Sequence, residues 1–266
     1  MGRRSILITR RHLAAITSGA FGAMALAERR PAWAASPPPG QQTYYLLAFS
    51  NPLAGQEEAY DRWFSEPHVH DMASFPGVVA AQHYADAGLE LRRAPVKTPH
   101  DLVLYTIVTD QPNDLRDAIV RRADAGGAWP GPTLASVRTV TYRAVQPRMD
   151  GVGGEPAEAR GGDAASYLVL AFLDAVAGQD DAFNTWYDTV HEPELLANPG
   201  VGSGQRAVLS EVQMGPSDIQ SRYLMMMTLV TRDLSAVFRG MLAGGPPSPA
   251  LDRTRGYGYN YRAVSP

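Results

Sequence analysis

Apolar positions along the chain fall into two kinds of run, and one succession of runs occurs twice. Near-continuous apolar stretches at Tyr44–Asn51 and Tyr167–Asp174 predict strands. After each, Gly55 or Gly178 turns the chain into a segment with helical spacing. Ala59, Tyr60, Trp63 and Phe64 recur at i, i+1, i+4 and i+5, and Ala182, Phe183, Trp186 and Tyr187 repeat that stripe. Glu57-Glu58 and Asp180-Asp181 sit in the first turn, where the helix dipole favours negative charge. Pro76-Gly77 and Pro199-Gly200 then launch second strands near Val78–Tyr84 and Val201–Leu209. A loop of about 16 residues leads to a third strand, Leu102–Thr109 or Tyr223–Thr231. Asp114-Leu115 and Asp233-Leu234 start a second helix, and Ser136–Val145 and Arg255–Val264 close each half on a shared Tyr-Arg-Ala-Val. Gly-Pro clusters at Gly126–Pro132 and Gly244–Pro249 read as loops into those last strands.

The repetition extends to identity. Leu47–Val78 and Leu170–Val201 align at a constant offset of 123 residues, and twelve of the 32 paired positions are identical, His68/His191 and Trp63/Trp186 among them. The order βαββαβ, twice, predicts an α+β chain of two ferredoxin-like repeats, 44–146 and 166–266. Each such unit covers one sheet face with helices and leaves the other bare, so two units are expected to pack sheet to sheet. Tyr257, Tyr259 and Tyr261 alternate and share one face, a packed interior or a ligand-lining wall. Between the repeats, 147–165 is rich in Gly, Pro and Ala without apolar periodicity and reads as a flexible linker.

Residues 1–34 change the picture of the ends. Arg10-Arg11, a weakly apolar run of about 15 residues from Leu13 to Ala27, and Ala32-Trp33-Ala34 together predict a twin-arginine signal peptide cleaved after Ala34. That run is too short to anchor in a bilayer, so export to the periplasm or beyond is expected, with no membrane attachment after cleavage. The segment carries six arginines and one glutamate, so its removal leaves 18 basic and 26 acidic residues, a net charge of −8. An acidic chain without a basic patch argues against nucleic acid as a partner. No cysteine is present, which excludes thiolate chemistry and cysteine-based metal sites.

The candidate chemistry centres on histidine. His68 continues the face of Tyr60 and Phe64, and His191 that of Phe183 and Tyr187. Pro67 and Pro193 each remove a backbone donor, predicting a helix broken or kinked at the histidine. An imidazole there is a candidate general base or acid near neutral pH; the competing reading is a histidine that caps the break. A zinc site from His68, His70 and Asp71 meets a geometric objection, because i and i+2 point to opposite sides of a helix. No G-x-S-x-G elbow and no strand-linked G-x-G-x-x-G occur.

Trp63-Phe-Ser-Glu-Pro-His68 and Trp186-Tyr-Asp-Thr-Val-His191-Glu-Pro193 resemble the W-x4-H-x-P signature of EthD-type proteins in the dimeric α+β barrel superfamily, as does the Pro-Gly-Val entering the second strand. The resemblance covers both halves and implies an intrachain version of the barrel, as a monomer or a homodimer of it, with small-molecule pockets between helices and sheet. That superfamily includes cofactor-free monooxygenases, cyclases, decarboxylases, isomerases, dehydratases and haem enzymes, so fold alone does not choose the chemistry. The first copy departs from the signature at His70, where proline is expected, and pairs His83 and Tyr84 with Arg206 and Ala207 of the second.

The expectation is therefore an exported enzyme, without cofactor or metal, moving a proton on a small apolar, aromatic or polyketide-like molecule. It would be a lyase, isomerase, dehydratase or cofactor-free oxygenase. His68 and His191 are the candidate bases, with His70 and His83 as further titratable groups. Trp63, Phe64, Tyr84, Tyr142, Trp186, Tyr187, Arg206 and Tyr261 are the candidate substrate-lining residues. The alternatives are a binding protein that sequesters a hydrophobic metabolite and a haem-binding relative.

Overall fold

Alternate residues of the apolar strands face two different layers, and this two-sided burial sets the architecture. The computed structural model describes residues 37–89, 97–124, 134–153, 164–215 and 217–264. The expected signal peptide, most of the expected linker and the loop at Gly126–Pro132 lie outside the described residues.

The chain runs β1 (Gln42–Pro52), α1 (Glu57–Trp63), a π-helical turn (Phe64–His68), α2 (Val69–Ala73), β2 (Val78–Asp86), β3 (Asp101–Thr109), α3 (Pro112–Asp124) and β4 (Leu134–Ala144). After the two-residue β5 (Met149–Asp150), the order recurs as β6 (Ala165–Leu173), α4 (Asp180–Trp186), a π-helical turn (Tyr187–His191), α5 (Glu192–Leu196), β7 (Val201–Leu209), β8 (Tyr223–Thr231), α6 (Leu234–Leu242) and β9 (Tyr257–Ala263). Gly55 and Gly178 enter the helices at φ of 78° and 77°, a left-handed conformation that costs a glycine little.

Among the described residues all strand pairing is antiparallel, in the order β4-β1-β3-β2-β9-β6-β8-β7-β5. A further pairing, Tyr142–Ala144 of β4 with Ala207–Leu209 of β7, joins the long strands at the ends of that order. The sheet therefore closes on itself. Three apolar clusters follow. Tyr45, Leu47 and Phe49 of β1 and Leu168, Leu170 and Phe172 of β6 point into the closed sheet, with Tyr259 and Tyr261 of β9. Their sequence neighbours point outward, where Leu46 and Tyr105 pack under the first pair of helices and Val169 and Met227 under the second. A strand between two apolar layers needs apolar residues at every position, which is why β1 and β6 lack alternation.

Composition read 147–165 as linker, but its first part is docked. Met149 and Asp150 pair with Gly204 and Ser203 of β7, and the amides of Val152 and Gly153 bond to the carbonyls of Leu196 and Val201 at 3.0 and 2.8 Å. A Cβ on Gly151 would lie 2.3 Å from the Val201 carbonyl oxygen. The glycines that look like linker residues thus allow close backbone approach. Among the described residues no helix is long and apolar enough to cross a membrane.

Candidate active site

The two histidines sit on widened helical turns rather than on breaks. The Val69 amide donates to the Phe64 carbonyl and the Glu192 amide to the Tyr187 carbonyl, each five residues back, and the helix continues as α2 or α5. Of the expected break or kink near Pro67 and Pro193, no break occurs; the helix instead widens into a π turn at each histidine. Pro67 lies inside its turn, but the second turn contains no proline and widens all the same, so proline is not the common cause. The extra residue has a geometric effect. In an α-helix, positions i and i+5 lie roughly 140° apart at about 100° per residue. The π turn brings them over one another: Trp63 stacks on His68 at 4.4 Å and 21°, and Trp186 on His191 at 4.7 Å and 12°. Such turns recur at functional sites.

In the first half the stacked histidine is sealed in. His68 is 3 % exposed, and its Nε2 shares a 2.6 Å hydrogen bond with the Tyr105 hydroxyl from β3. Burial, only partly opposed by the Asp71 carboxylate, pushes the imidazole down to about 4, so it is neutral at pH 7. Burial likewise holds Tyr105 well above its usual value.

Nearer the surface lies a second imidazole. His83 of β2 makes a 2.8 Å bond from Nε2 to Oδ1 of Asp101, while Nδ1 of His100 bonds to Oδ2 of the same carboxylate at 2.8 Å. Asp101 is 2 % exposed, so one buried carboxylate is shared by two imidazoles. Phe64 lies against both histidines, 4.8 Å from His83 and 5.8 Å from His68. Tyr60, whose hydroxyl bonds to Ser50 at 2.7 Å, completes the wall 6.1 Å from His83. A base held by a carboxylate, beside aromatic faces and a hydroxyl, can take a proton from a bound acid.

The second half keeps the frame but carries different polar side chains. Strand register identifies equivalent positions: Ser50 faces Asp101 and Leu46 faces Tyr105, while Leu173 faces Tyr223 and Val169 faces Met227. Methionine thus stands where the first half has the tyrosine bonded to His68. Arg206 stands in place of His83 and is 4 % exposed, with its guanidinium 4.6 Å over the Tyr187 ring. It bonds to Asn184 Oδ1 at 2.7 Å and to the Asp188 carboxylate. Tyr223 replaces Asp101 and bonds to Asp180 at 2.5 Å. His191 is only half-buried; burial lowers its pKa, opposed by Glu194.

The candidate residues divide accordingly. Trp63, Phe64, His68 and His83 come together, whereas Trp186, Tyr187, His191 and Arg206 form the second, guanidinium-filled version. His70 is exposed, and Asp71 pairs with Arg122. Tyr84, Tyr142 and Tyr261 line neither histidine; they belong to the cluster inside the closed sheet, with Tyr142 donating to the Ser221 carbonyl at 2.7 Å. A surface groove lined by Asn198, Gly200, Thr231 and Ala236 lies beside the start of α6, away from both histidines. Sequence reading missed Asp101, His100, Tyr105 and Ser50. The signal existed: the loop before β3 spans 87–100 and that before β8 spans 210–222, one residue shorter. An offset reduced by one after that loop sets Asp101 against Tyr223 and Tyr105 against Met227.

No family model matches the chain, and no curated protein matches it. Solved structures do. An anthrone oxidase-like protein superposes with a TM-score of 0.50 at 10 % identity, over 84 % of this chain and 92 % of its own. A candidate monooxygenase from Fusobacterium nucleatum subsp. nucleatum gives 0.51 at 10 %, over 84 % and 93 %. A chlorite dismutase variant from Candidatus Nitrospira defluvii gives 0.48 at 12 %, over 84 % and 91 %. The chain has the mixed fold and large antiparallel sheet of dimeric α+β barrel proteins, at identities that establish fold alone.

Proposed function

We propose that this chain is an exported, cofactor-independent oxygenase with one active site, in its first half. The two halves are ferredoxin-like repeats closed into an intrachain α+β barrel, and residues 1–34 are the twin-arginine signal. The observation that carries the reading is the His83–Asp101 pair next to the Trp63-stacked His68, absent from the second half. The fold shared with an anthrone oxidase-like protein and a candidate monooxygenase supports the choice of chemistry.

His83 is the proton acceptor, and Asp101 holds its ring and stabilises the imidazolium that forms. This departs from the sequence-based reading of His68 and His191 as the bases; the lowered basicity and 3 % exposure of His68 suit a fixed, neutral partner of Tyr105. The substrate is a flat aromatic or polyketide-like molecule with an acidic C–H, set against Trp63 and Phe64. Abstraction leaves a carbanion whose electrons pass to O2; the peroxide formed loses water to give the ketone, so O2 is the only co-reactant. Of the two stacked histidines a haem reading favours His191, since His68 Nε2 is held by Tyr105 at 2.6 Å.

Anthrone is a suitable probe. Without oxygen, its methylene protons should exchange with D2O faster in the presence of the protein; with oxygen, uptake should exceed autoxidation. His83→Gln should lower both rates about 10²–10⁴-fold. Wild-type protein that accelerates neither process, or a folded His83→Gln protein with undiminished rates, refutes the proposal. An absorbance scan of purified protein showing a Soret band would favour the haem reading instead.

A further inference from the structure

The facing positions on helix and strand carry opposite charge in the two halves. In the second half, Asn184 of α4 meets Arg206 of β7, a neutral amide against a guanidinium. In the first half the equivalent positions are Asp61 of α1 and His83 of β2, and Asp101 adds a second carboxylate where the other half has a tyrosine. One ligand atom from each of Asp61, His83 and Asp101 lies within 4.8 Å of the others. Among the described residues no lysine or arginine is within ion-pair distance of Asp61, and the basic groups ion-paired with the Asp101 carboxylate are the imidazoles of His83 and His100. Two carboxylates and an imidazole facing one point, one carboxylate 2 % exposed, favour a cation between them.

We propose that Asp61, His83 and Asp101 form a binding site for a divalent transition-metal ion of the zinc class. One nitrogen and two oxygens suit zinc, and the fourth position would stay open to water. Imidazole disfavours calcium and magnesium, which take oxygen ligands. The ion would replace the proton shared by His83 Nε2 and Asp101 Oδ1, now 2.8 Å apart. Ligands of a tetrahedral zinc at about 2.0 Å are roughly 3.3 Å apart, so this edge opens by about half an ångström. His100 is already placed as the outer partner, bonded to the other Asp101 oxygen at 2.8 Å. Asp61 is exposed on α1, free to swing inward, and its ligation would tie helix to sheet.

Binding at this site goes beyond the proposed reaction and does not depend on it. It does predict a consequence, because zinc on Nε2 leaves the ring proton on Nδ1, the nitrogen whose lone pair the reaction needs. Zinc chloride should be titrated calorimetrically into the signal-cleaved protein, and Co2+ should be followed by its visible absorption. The expected result is one zinc per chain, with at least tenfold weaker binding and loss of the cobalt bands in Asp61→Asn and in His83→Gln. Asp61 is exposed, so its variant keeps the test valid even where the His83 change disturbs folding. No binding, or binding and cobalt bands unchanged in Asp61→Asn, overturns the site. Zinc that binds there without slowing anthrone turnover leaves the site standing and removes His83 as the base.

Discussion

Acid should destabilise this protein partly through one buried imidazole. His68 has an unfolded pKa near 6.5 and a folded value pushed down to about 4 by burial. Between those values the unfolded chain binds a proton that the folded chain does not. Stability from this group is therefore full above about pH 6.5, falls as pH drops through the window, and levels off below about 4. The gap corresponds to about 3 kcal/mol, a large fraction of a typical folding free energy. His68→Gln retains an acceptor for the Tyr105 hydroxyl but binds no proton. Urea unfolding of wild type and variant at half-unit steps from pH 7.5 to 4 isolates the effect, because the carboxylates titrate alike in both. The variant is expected to be less stable at pH 7, where it loses the stack on Trp63. Its deficit should shrink by about 3 kcal/mol by pH 4 and change sign if the loss at pH 7 is smaller than that. Stability curves that run parallel across the whole range would refute the assignment of a buried, neutral His68.

Two further outcomes test other parts of the structure. Gly151→Ala should detach the docked segment after β5, since its Cβ would lie 2.3 Å from the Val201 carbonyl oxygen, whereas Gly204→Ala meets the far end of a side chain, Met225 Cε, at 2.6 Å. The former should cost about 1–3 kcal/mol and the latter less, read as a difference in Tm. For export, a reporter fused to Met1–Ala35 should cross the inner membrane, and replacing Arg10-Arg11 by a lysine pair should block it; unchanged transport would point to the general secretory route.

Element order was legible because it is a local property. The stripe of Tyr60, Trp63 and Phe64 and its copy at Phe183, Trp186 and Tyr187 record which face of a helix is buried, and neighbours three or four positions apart decide that. Strand β1 was readable for the same reason. Local signals misled at Pro67, where a proline consistent with a break sits in a π turn that its proline-free copy also adopts. They misled again at Gly151 and Gly153, whose composition matches a flexible chain but whose backbones pack against β7.

The candidate site was half legible. His68, His83, Trp63 and Phe64 could be singled out, because the first two are titratable and the others repeat in the second copy. Asp101 and Tyr105 could not be joined to them, since strand pairing across a loop of unequal length sets which residue faces which. Tyr84, Tyr142 and Tyr261 show the converse, being plausible lining residues whose strand faces turn them inside the closed sheet.

The sequence by itself determined the succession of strands and helices, the recurrence of one segment at an offset of 123 residues, and the pairing of a tryptophan with a histidine five residues on. These depend on periodicity and identity, which neighbouring residues carry. Only the tertiary structure decided that Trp and His stack, that His68 is sealed against Tyr105, and that His83 shares Asp101 with His100. The stack needs a π turn that no local residue announces, the Tyr105 and Asp101 contacts to His68 and His83 cross 37 and 18 positions, and burial, which no single residue encodes, sets their basicity and charge balance.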